Sequence, residues 1–277
     1  MYYLDKDTDF IEYIQTWSHA HSLEQKIHHT QKLLEHIAHH YAPHEVAVAW
    51  TGGKDSTVLL ALWRQVLSQV HPEANVLAVN LDTGHKFPEI LVFRDELAAL
   101  WQVQMHIARP DWAALGCAEA TPHDAYPVAK NKVQCCQDLK IKPLEKAIKS
   151  LGIKVLLTGI RADEHEERAK RGILEVCHSR TDDGNIVGAT GETSPTSHTR
   201  VHAILAFTEM DIWSYTASQN IPYCSLYTKG YRSLGCVPCT KTVSYGGTDN
   251  NHNTGERAGR DADKEAAMQS LHELGYF

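Results

Sequence analysis

Residues 50–60 read WTGGKDSTVLL. Gly52 and Gly53 permit a tight turn of bare N–H groups, Lys54 adds a mobile positive charge, and the Ser56 and Thr57 hydroxyls can donate to phosphate oxygens. The apolar helix expected to follow points its positive end at the same spot, which makes an anion cradle. Its glycines are set too close together for a Walker A loop. The plain alternative is a glycine turn that merely joins a strand to a helix.

Two further strand ends carry chemistry. In NLDTGHKFPEILVFRDEL (80–97) Asp82 stands beside a glycine turn, where it can bind a nucleotide hydroxyl or Mg2+. In LLTGIRADEHEERAK (156–170) Arg161 and Arg168 can grip an oxyanion through paired, charge-assisted hydrogen bonds. The competing reading makes Glu164, Glu167, Arg168 and Arg171 salt bridges on a solvated helix face.

The cysteines form a second constellation. GCVPCT (235–240) holds Cys236 and Cys239, and NKVQCCQDL (131–139) holds the adjacent pair Cys135 and Cys136. A redox Cys-x-x-Cys ordinarily opens a helix after the first strand of a thioredoxin-like unit, whereas this one lies in an aperiodic tail. Together the two pairs supply four thiolates, the number a 4Fe-4S cluster needs; adjacent cysteines strain a single tetrahedral zinc. Cluster, zinc and free thiols stay open on the residues alone. Cys117, Cys177 and Cys224 read as ordinary buried thiols.

The elements that must position these residues follow from periodicity. Residues 9–40 space Ile27, Leu33, Leu34 and Ile37 helically, and their scattered histidines suit a solvated face. From residue 46 apolar strands alternate with helical segments, which predicts an α/β fold, a parallel twisted sheet with helices on both faces and ligands at the carboxyl ends of its strands. The polar residues that matter then lie just after Trp50, Leu81 and Leu157. Residues 178–200, rich in Gly, Ser and Thr, predict a mobile loop or hairpin insertion, and VHAILAFTEMDIWSYTASQNIP a strand followed by a Thr-capped helix. After Tyr223 periodicity fades. The expected organisation is an N-terminal helical segment (1–40), a nucleotide-binding α/β domain (41–223) and an irregular C-terminal tail (224–277) carrying half of the cysteine site.

With 277 residues and 43% hydrophobic content the chain can bury a sizeable core. It shows neither a signal-peptide layout nor a run of about 20 apolar residues, so a cytoplasmic location away from membranes is expected, where seven cysteines remain thiols or metal ligands. The net charge of −7 argues against a surface that grips nucleic acid throughout, although KIKPLEKAIK and the Arg-rich turn are locally basic.

The Thr-Gly-Gly-Lys-Asp-Ser stretch resembles the Ser-Gly-Gly-x-Asp-Ser signature of the PP-loop ATP pyrophosphatases, with Thr51 replacing the first Ser. The region around Asp82 and the Arg161 turn are similar to the phosphoadenylyl-sulfate (PAPS) reductase and sulfate adenylyltransferase small-subunit family. The resemblance spans roughly residues 40–277 and implies an adenine nucleotide alpha-hydrolase-like fold, ATP and Mg2+ as cofactors, and cleavage of ATP between its α and β phosphates. It implies catalytic roles for Lys54, Asp55 and Arg161, and nucleotide contacts from Thr51, Gly52, Gly53, Ser56, Thr57, Asp82 and Arg168. Cys135, Cys136, Cys236 and Cys239 look like the 4Fe-4S ligands of the family's iron-sulfur branch.

One departure divides the family's activities. Its reductases attack the nucleotide sulfur with the cysteine of a C-terminal Glu-Cys-Gly-[Leu/Ile]-His motif; this chain ends HELGYF, with Leu274 between Glu273 and Gly275. The tail looks more like that of the adenylyltransferase small subunit, which lacks the four cysteines. An adenylating loop with a cluster but no nucleophile suits sulfur incorporation, and the resemblance supplies a precedent in the ATP pyrophosphatase component of DNA phosphorothioation systems. That precedent implies a cysteine desulfurase as sulfur donor and nucleic acid only as an indirect partner. Sulfate activation, nucleotide-sulfate reduction, tRNA thiolation and a non-enzymatic ATP-sensing iron-sulfur subunit are the alternatives, and a homodimer is left open.

Overall fold

Four consecutive apolar residues, Val46–Ala49, are buried on both faces and form the central strand, β1, of a six-stranded sheet. A computed structural model of the chain describes residues 8–15, 21–117, 125–178, 196–243 and 255–276. The remaining strands are β2 (Leu77–Leu81), β3 (Gln104–Ala108), β4 (Val155–Thr158), β5 (Leu174–His178) and β6 (Thr196–Val201), in the order β3-β2-β1-β4-β6-β5. Adjacent pairs are parallel, as in Val48 opposite Ala78 and Leu157, except that β5 runs antiparallel to β6. The sheet is therefore mixed rather than wholly parallel. β5 and β6 are consecutive strands in the chain and pair antiparallel, with Val176 opposite Thr199.

Helices cover both faces. α1 (Thr8–Gln15), α2 (Leu23–His40), α3 (Lys54–Val70), α4 (Pro88–Leu100) and later α8 (Glu209–Ser218) lie in chain order around the larger core, where Leu33, Ile37, Trp63, Val66, Phe207 and Ile212 pack with Val48 and Leu157. α2 starts at a capping box in which the Gln25 N–H donates to Ser22 Oγ at 3.3 Å and the Ser22 N–H to Gln25 Oε1 at 2.9 Å. On the opposite face α6 (Lys142–Leu151) sets Leu144, Ala147 and Ile148 against Ala47, Ala49 and Leu156. A short helix α5 (Lys132–Cys136) and one π-helical turn (Gln137–Ile141) precede α6, and α7 (Glu166–Ala169) follows β4. α8 is capped by Thr208, whose Oγ1 accepts from the Asp211 N–H at 3.2 Å.

Two expectations shift. The strand expected from Val201 onward instead runs Thr196–Val201, and residues 203–206 form turns. The tail carries helices, α9 (Ala262–Ala266) and α10 (Met268–Glu273), with Met268 and Leu271 wholly buried. Pieces of five and six residues are too short to display a period. The Gly/Ser/Thr-rich stretch lies outside the described residues over 179–195, as does the terminal Phe277. Among the described residues no helix is long and apolar enough to cross a membrane.

The order of strands reverses between β1 and β4, which lie side by side with β2 and β6 on either flank. Such a switch point opens a crevice at the carboxyl ends of the two strands. Residues 51–56 and 159–164 emerge there.

Candidate active site

Gly52 has φ of 80°, and a Cβ there would meet Ile90 Cγ2 at 2.9 Å, so both conformation and space demand glycine. Gly53 then caps α3 without a side chain. The hydroxyls brace the loop: Thr51 and Ser56 are hydrogen-bonded at 3.0 Å, and the Gly53 N–H donates to Thr51 Oγ1 at 3.2 Å. Thr57 Oγ1 accepts the Trp50 indole N–H at 3.0 Å and donates to the Gly53 carbonyl at 2.9 Å. The Lys54 N–H, the helix's first donor, meets the Tyr227 hydroxyl at 2.8 Å. Gly159 closes the gap to β4, since a Cβ there would lie 2.8 Å from both Ser56 N and Ser56 Cα.

Lys54 and Arg161 converge. Both are almost fully buried, and Glu256, arriving from the tail, ion-pairs with Lys54 Nζ through one oxygen and with the Arg161 guanidinium through the other. Asp55 bridges the same cations, with Oδ2 3.1 Å from Lys54 Nζ and Oδ1 2.7 Å from Arg161 Nε. Asp163 takes Arg161 Nη1 at 2.8 Å. Burial works against the Lys54 ammonium, but Asp55, Tyr227 and Glu256 outweigh it and hold it above the ordinary lysine range. Arg161 is likewise disfavoured by burial and held charged by Asp55 and Glu256.

Arg168 is buried and pairs with Glu164, so neither belongs to a solvated face. Arg257 joins them, with Nη1 3.9 Å from Glu164 and Nε 2.6 Å from Glu265. Oxygens of Asp55, Glu164 and Glu256 lie within 4.8 Å of one another, yet each carboxylate already faces at least one of Lys54, Arg161, Arg168 and Arg257. The four cationic side chains outnumber these three carboxylates, and a divalent cation fits the group poorly. Asp82 stands apart, its oxygens engaged by the Gly84 N–H at 3.1 Å and by Arg109 Nε at 3.3 Å.

The two cysteine pairs meet on the other side of the crevice. Cys135 and Cys136 sit on α5, which Asn131 caps by accepting the Gln134 N–H at 3.0 Å. Cys236 and Cys239 flank a 3-10 turn that hangs on the loop after β2: the Val237 N–H donates to the His85 carbonyl at 2.8 Å, and Cys236 forms a bridge with Lys86. All four are buried, and Thr83 Oγ1 lies 3.3 Å from Cys236 Sγ. Burial raises the Cys236 thiol, but Lys140, Lys86 and Lys264 overcome this and bring it down to about 6. Burial pushes Cys135 and Cys239 up.

An electropositive, buried set of four thiols fits an anionic thiolate-ligated centre. None of the seven cysteines is in a disulfide; Cys117 and Cys224 are buried as expected, whereas Cys177 on edge strand β5 is only half-buried.

Residues 45–242 match the model of the phosphoadenosine phosphosulfate reductase domain. The chain belongs to that family. Among curated members, the adenosine 5'-phosphosulfate reductase of Oceanobacillus iheyensis (strain DSM 14371 / CIP 107618 / JCM 11309 / KCTC 3954 / HTE831) is 28% identical over 229 residues, 82% of each chain. The sulfate adenylyltransferase subunit 2 of Xanthomonas oryzae pv. oryzae (strain PXO99A) is 29% identical over 220 residues, 76% of this chain and 67% of its own length. The solved phosphoadenylyl-sulfate (PAPS) reductase of Candida auris, a phosphate complex, shares the fold with a TM-score of 0.57 at 19% identity, covering 86% of this chain and 98% of its own.

In this member of the PAPS reductase domain family the described tail packs back on the domain. Leu274, at the C-terminus of α10, is half-buried and brings no thiol. Beyond it the Gly275 carbonyl accepts from Arg200 at 2.7 Å and the Tyr276 carbonyl from Arg171 at 3.3 Å. Lys264 Nζ donates to the Tyr276 hydroxyl at 3.2 Å, and Lys140 and Lys264 lie 5.5 and 4.8 Å from its ring. The tail thereby ends against the cysteines, with Cys136, Met268 and Leu271 in one apolar cluster.

Sequence reading missed Glu256, Tyr227, Arg257 and the Lys86, Lys140 and Lys264 ring. Only Lys140 had a signal, four residues after the Cys-Cys pair in a basic stretch. Within that stretch Lys140 is buried beside the cysteines, and Lys142 pairs with Asp138 at 2.9 Å.

Proposed function

We propose that the chain is an ATP pyrophosphatase that adenylates an oxyanion so that sulfur can replace one of its oxygens. The convergence of Lys54 and Arg161 on a single buried carboxylate carries this reading, because two cations at a helix N-terminus, fixed before any ligand arrives, match a triphosphate. An acceptor oxygen attacks the α-phosphorus of ATP, the bond to the bridging oxygen of the β-phosphate breaks, and pyrophosphate leaves with that electron pair. Lys54 and Arg161 stabilise the charge that develops on it. Mg2+ comes with ATP as its counter-ion.

Sulfur at the sulfide level then displaces AMP from the activated acceptor. A cysteine desulfurase provides the sulfur as persulfide, and two electrons from an external reductant release it as sulfide. A DNA phosphodiester oxygen is the acceptor favoured by the resemblance to phosphorothioation enzymes. Cys135, Cys136, Cys236 and Cys239 would hold a 4Fe-4S cluster, which supplies a soft iron-sulfur centre for holding sulfur or orienting the acceptor. Seven cysteines with no disulfide among them suit the reducing cytoplasm.

Reduction of adenylyl sulfate is the second reading, favoured by the reductase relatives and opposed by Leu274. The two separate in one assay of the purified protein. Pyrophosphate formed from ATP, and lost in Lys54→Ala, supports adenylation; thioredoxin-dependent sulfite from adenylyl sulfate, without ATP, supports reduction.

A further inference from the structure

The loop's ligands for phosphate are met by the chain itself. Lys54 Nζ faces Glu256, Asp55 and, at 3.4 Å, the Arg232 carbonyl; the Lys54 N–H faces the Tyr227 hydroxyl; and the Arg161 fork is divided among Asp55, Asp163 and Glu256. Asp55 and Asp163 are neighbours of the cations in sequence, one and two residues away. Glu256 comes from 202 residues beyond Lys54 and is itself buried, with two oxygens addressing two different cations as a bridging phosphate would.

The segment that delivers it is fitted closely to the domain. Thr240 and Arg260 form a bridge, and the Lys241 N–H donates to the Gly259 carbonyl at 2.7 Å. A Cβ on Gly259 would lie 2.2 Å from the Lys241 carbonyl oxygen, and one on Gly235 2.4 Å from the Arg260 guanidinium. Lys132 holds Asp261 at 2.9 Å, and the Asp261 N–H donates to the Cys239 carbonyl at 3.2 Å. Anchors thus cluster at residues 259–261, with one more at Arg257, whose Nε lies 2.6 Å from Glu265, and Glu256 stands directly before it.

We propose that Glu256 is a built-in occupant of the phosphate site and that residues 255–258 form a plug which a nucleotide must expel. The inference rests on the reading of the loop as a triphosphate site. A carboxylate and a phosphate cannot hold the same two cations at once, so nucleotide affinity is scaled down by the fraction of molecules with the plug withdrawn. With about one molecule in ten open, removing the carboxylate tightens binding about tenfold. Turnover would then be tied to the tail, and whatever draws residues 255–258 away, including an acceptor or a sulfur-donating partner, would activate the enzyme.

The test uses the full chain with Mg2+ and α,β-methylene ATP, which cannot be cleaved between the α and β phosphates. Calorimetry on the wild type and Glu256→Ala should show tighter binding by the variant, by about tenfold. Hydrogen exchange on the wild type, which needs no variant to fold, should show faster exchange across residues 255–258 once the analogue saturates the site. Equal affinities, or slower exchange of 255–258 on saturation, would overturn the plug while leaving the nucleotide site intact. Binding by neither protein would overturn the nucleotide reading and the plug with it.

Discussion

At the scale of single residues, Lys54 and Arg161 could be found from the sequence because each stands a few residues past a buried strand and just after a glycine, Gly53 directly before Lys54 and Gly159 two residues before Arg161. The groups that complete their surroundings could not. Tyr227 is 173 residues from Lys54 and Glu256 is 202, and neither sits in a periodic segment. The four cysteines were legible as a set by number and pairing, but the lysines around them were not, since Lys86 in the loop after β2 and Lys264 on α9 are brought together only by the fold. If these cysteines hold a cluster, Cys236→Ser should lose iron and the broad absorbance near about 400 nm expected of thiolate-bound iron. Metal analysis and a visible spectrum of anaerobically purified wild type and variant check this; an iron-free, colourless wild type would refute the cluster.

At the scale of elements, the alternation of strands and helices was readable throughout 46–158, where apolar runs are continuous and turns are marked by glycine. It was less so at β5, whose residues are mostly half-exposed and whose partner lies across the undescribed stretch, so its antiparallel sense had no local signature. The contact between β4's end and α3's start is unusually close. Gly159→Ala would drive a methyl group into the Ser56 backbone at 2.8 Å, against main chain that cannot swing aside. The expected outcome is a loss of about 1–3 kcal/mol in stability together with weaker nucleotide binding, since the displaced loop carries Lys54. Thermal unfolding and calorimetry measure both; an unchanged variant would show that the two elements are not held in register.

At the scale of the whole molecule, the tail links the phosphate loop to the cysteine site, and this is where pH should act. Burial, with Asp55 and Glu164, pushes the Glu256 carboxyl up to about 7 against the pull of Lys54 and Arg161, and Tyr227 faces the same group. Withdrawn into water, the carboxyl would titrate near about 4.3. The docked form therefore holds more protons than the withdrawn form between these values. Its advantage is fully present below about 4.3 and is lost as pH rises through 7. Affinity for α,β-methylene ATP should accordingly improve from pH 6 to pH 8 more in the wild type than in Glu256→Ala, which shares every other titration including the nucleotide's own. Parallel pH profiles would contradict the assignment.

Buried basic residues also belong to this scale: Lys54, Arg161 and Arg168 are turned into the phosphate-loop site, and Lys140 and Lys264 toward the cysteines. The central claim is that the first of those sites cleaves ATP between its α and β phosphates. The direct measurement is pyrophosphate and AMP released from ATP by the purified full chain with Mg2+, beside Lys54→Ala. The account predicts equal amounts of pyrophosphate and AMP, falling by about 100-fold in the variant; release of phosphate and ADP instead, or a rate unchanged in Lys54→Ala, would contradict it.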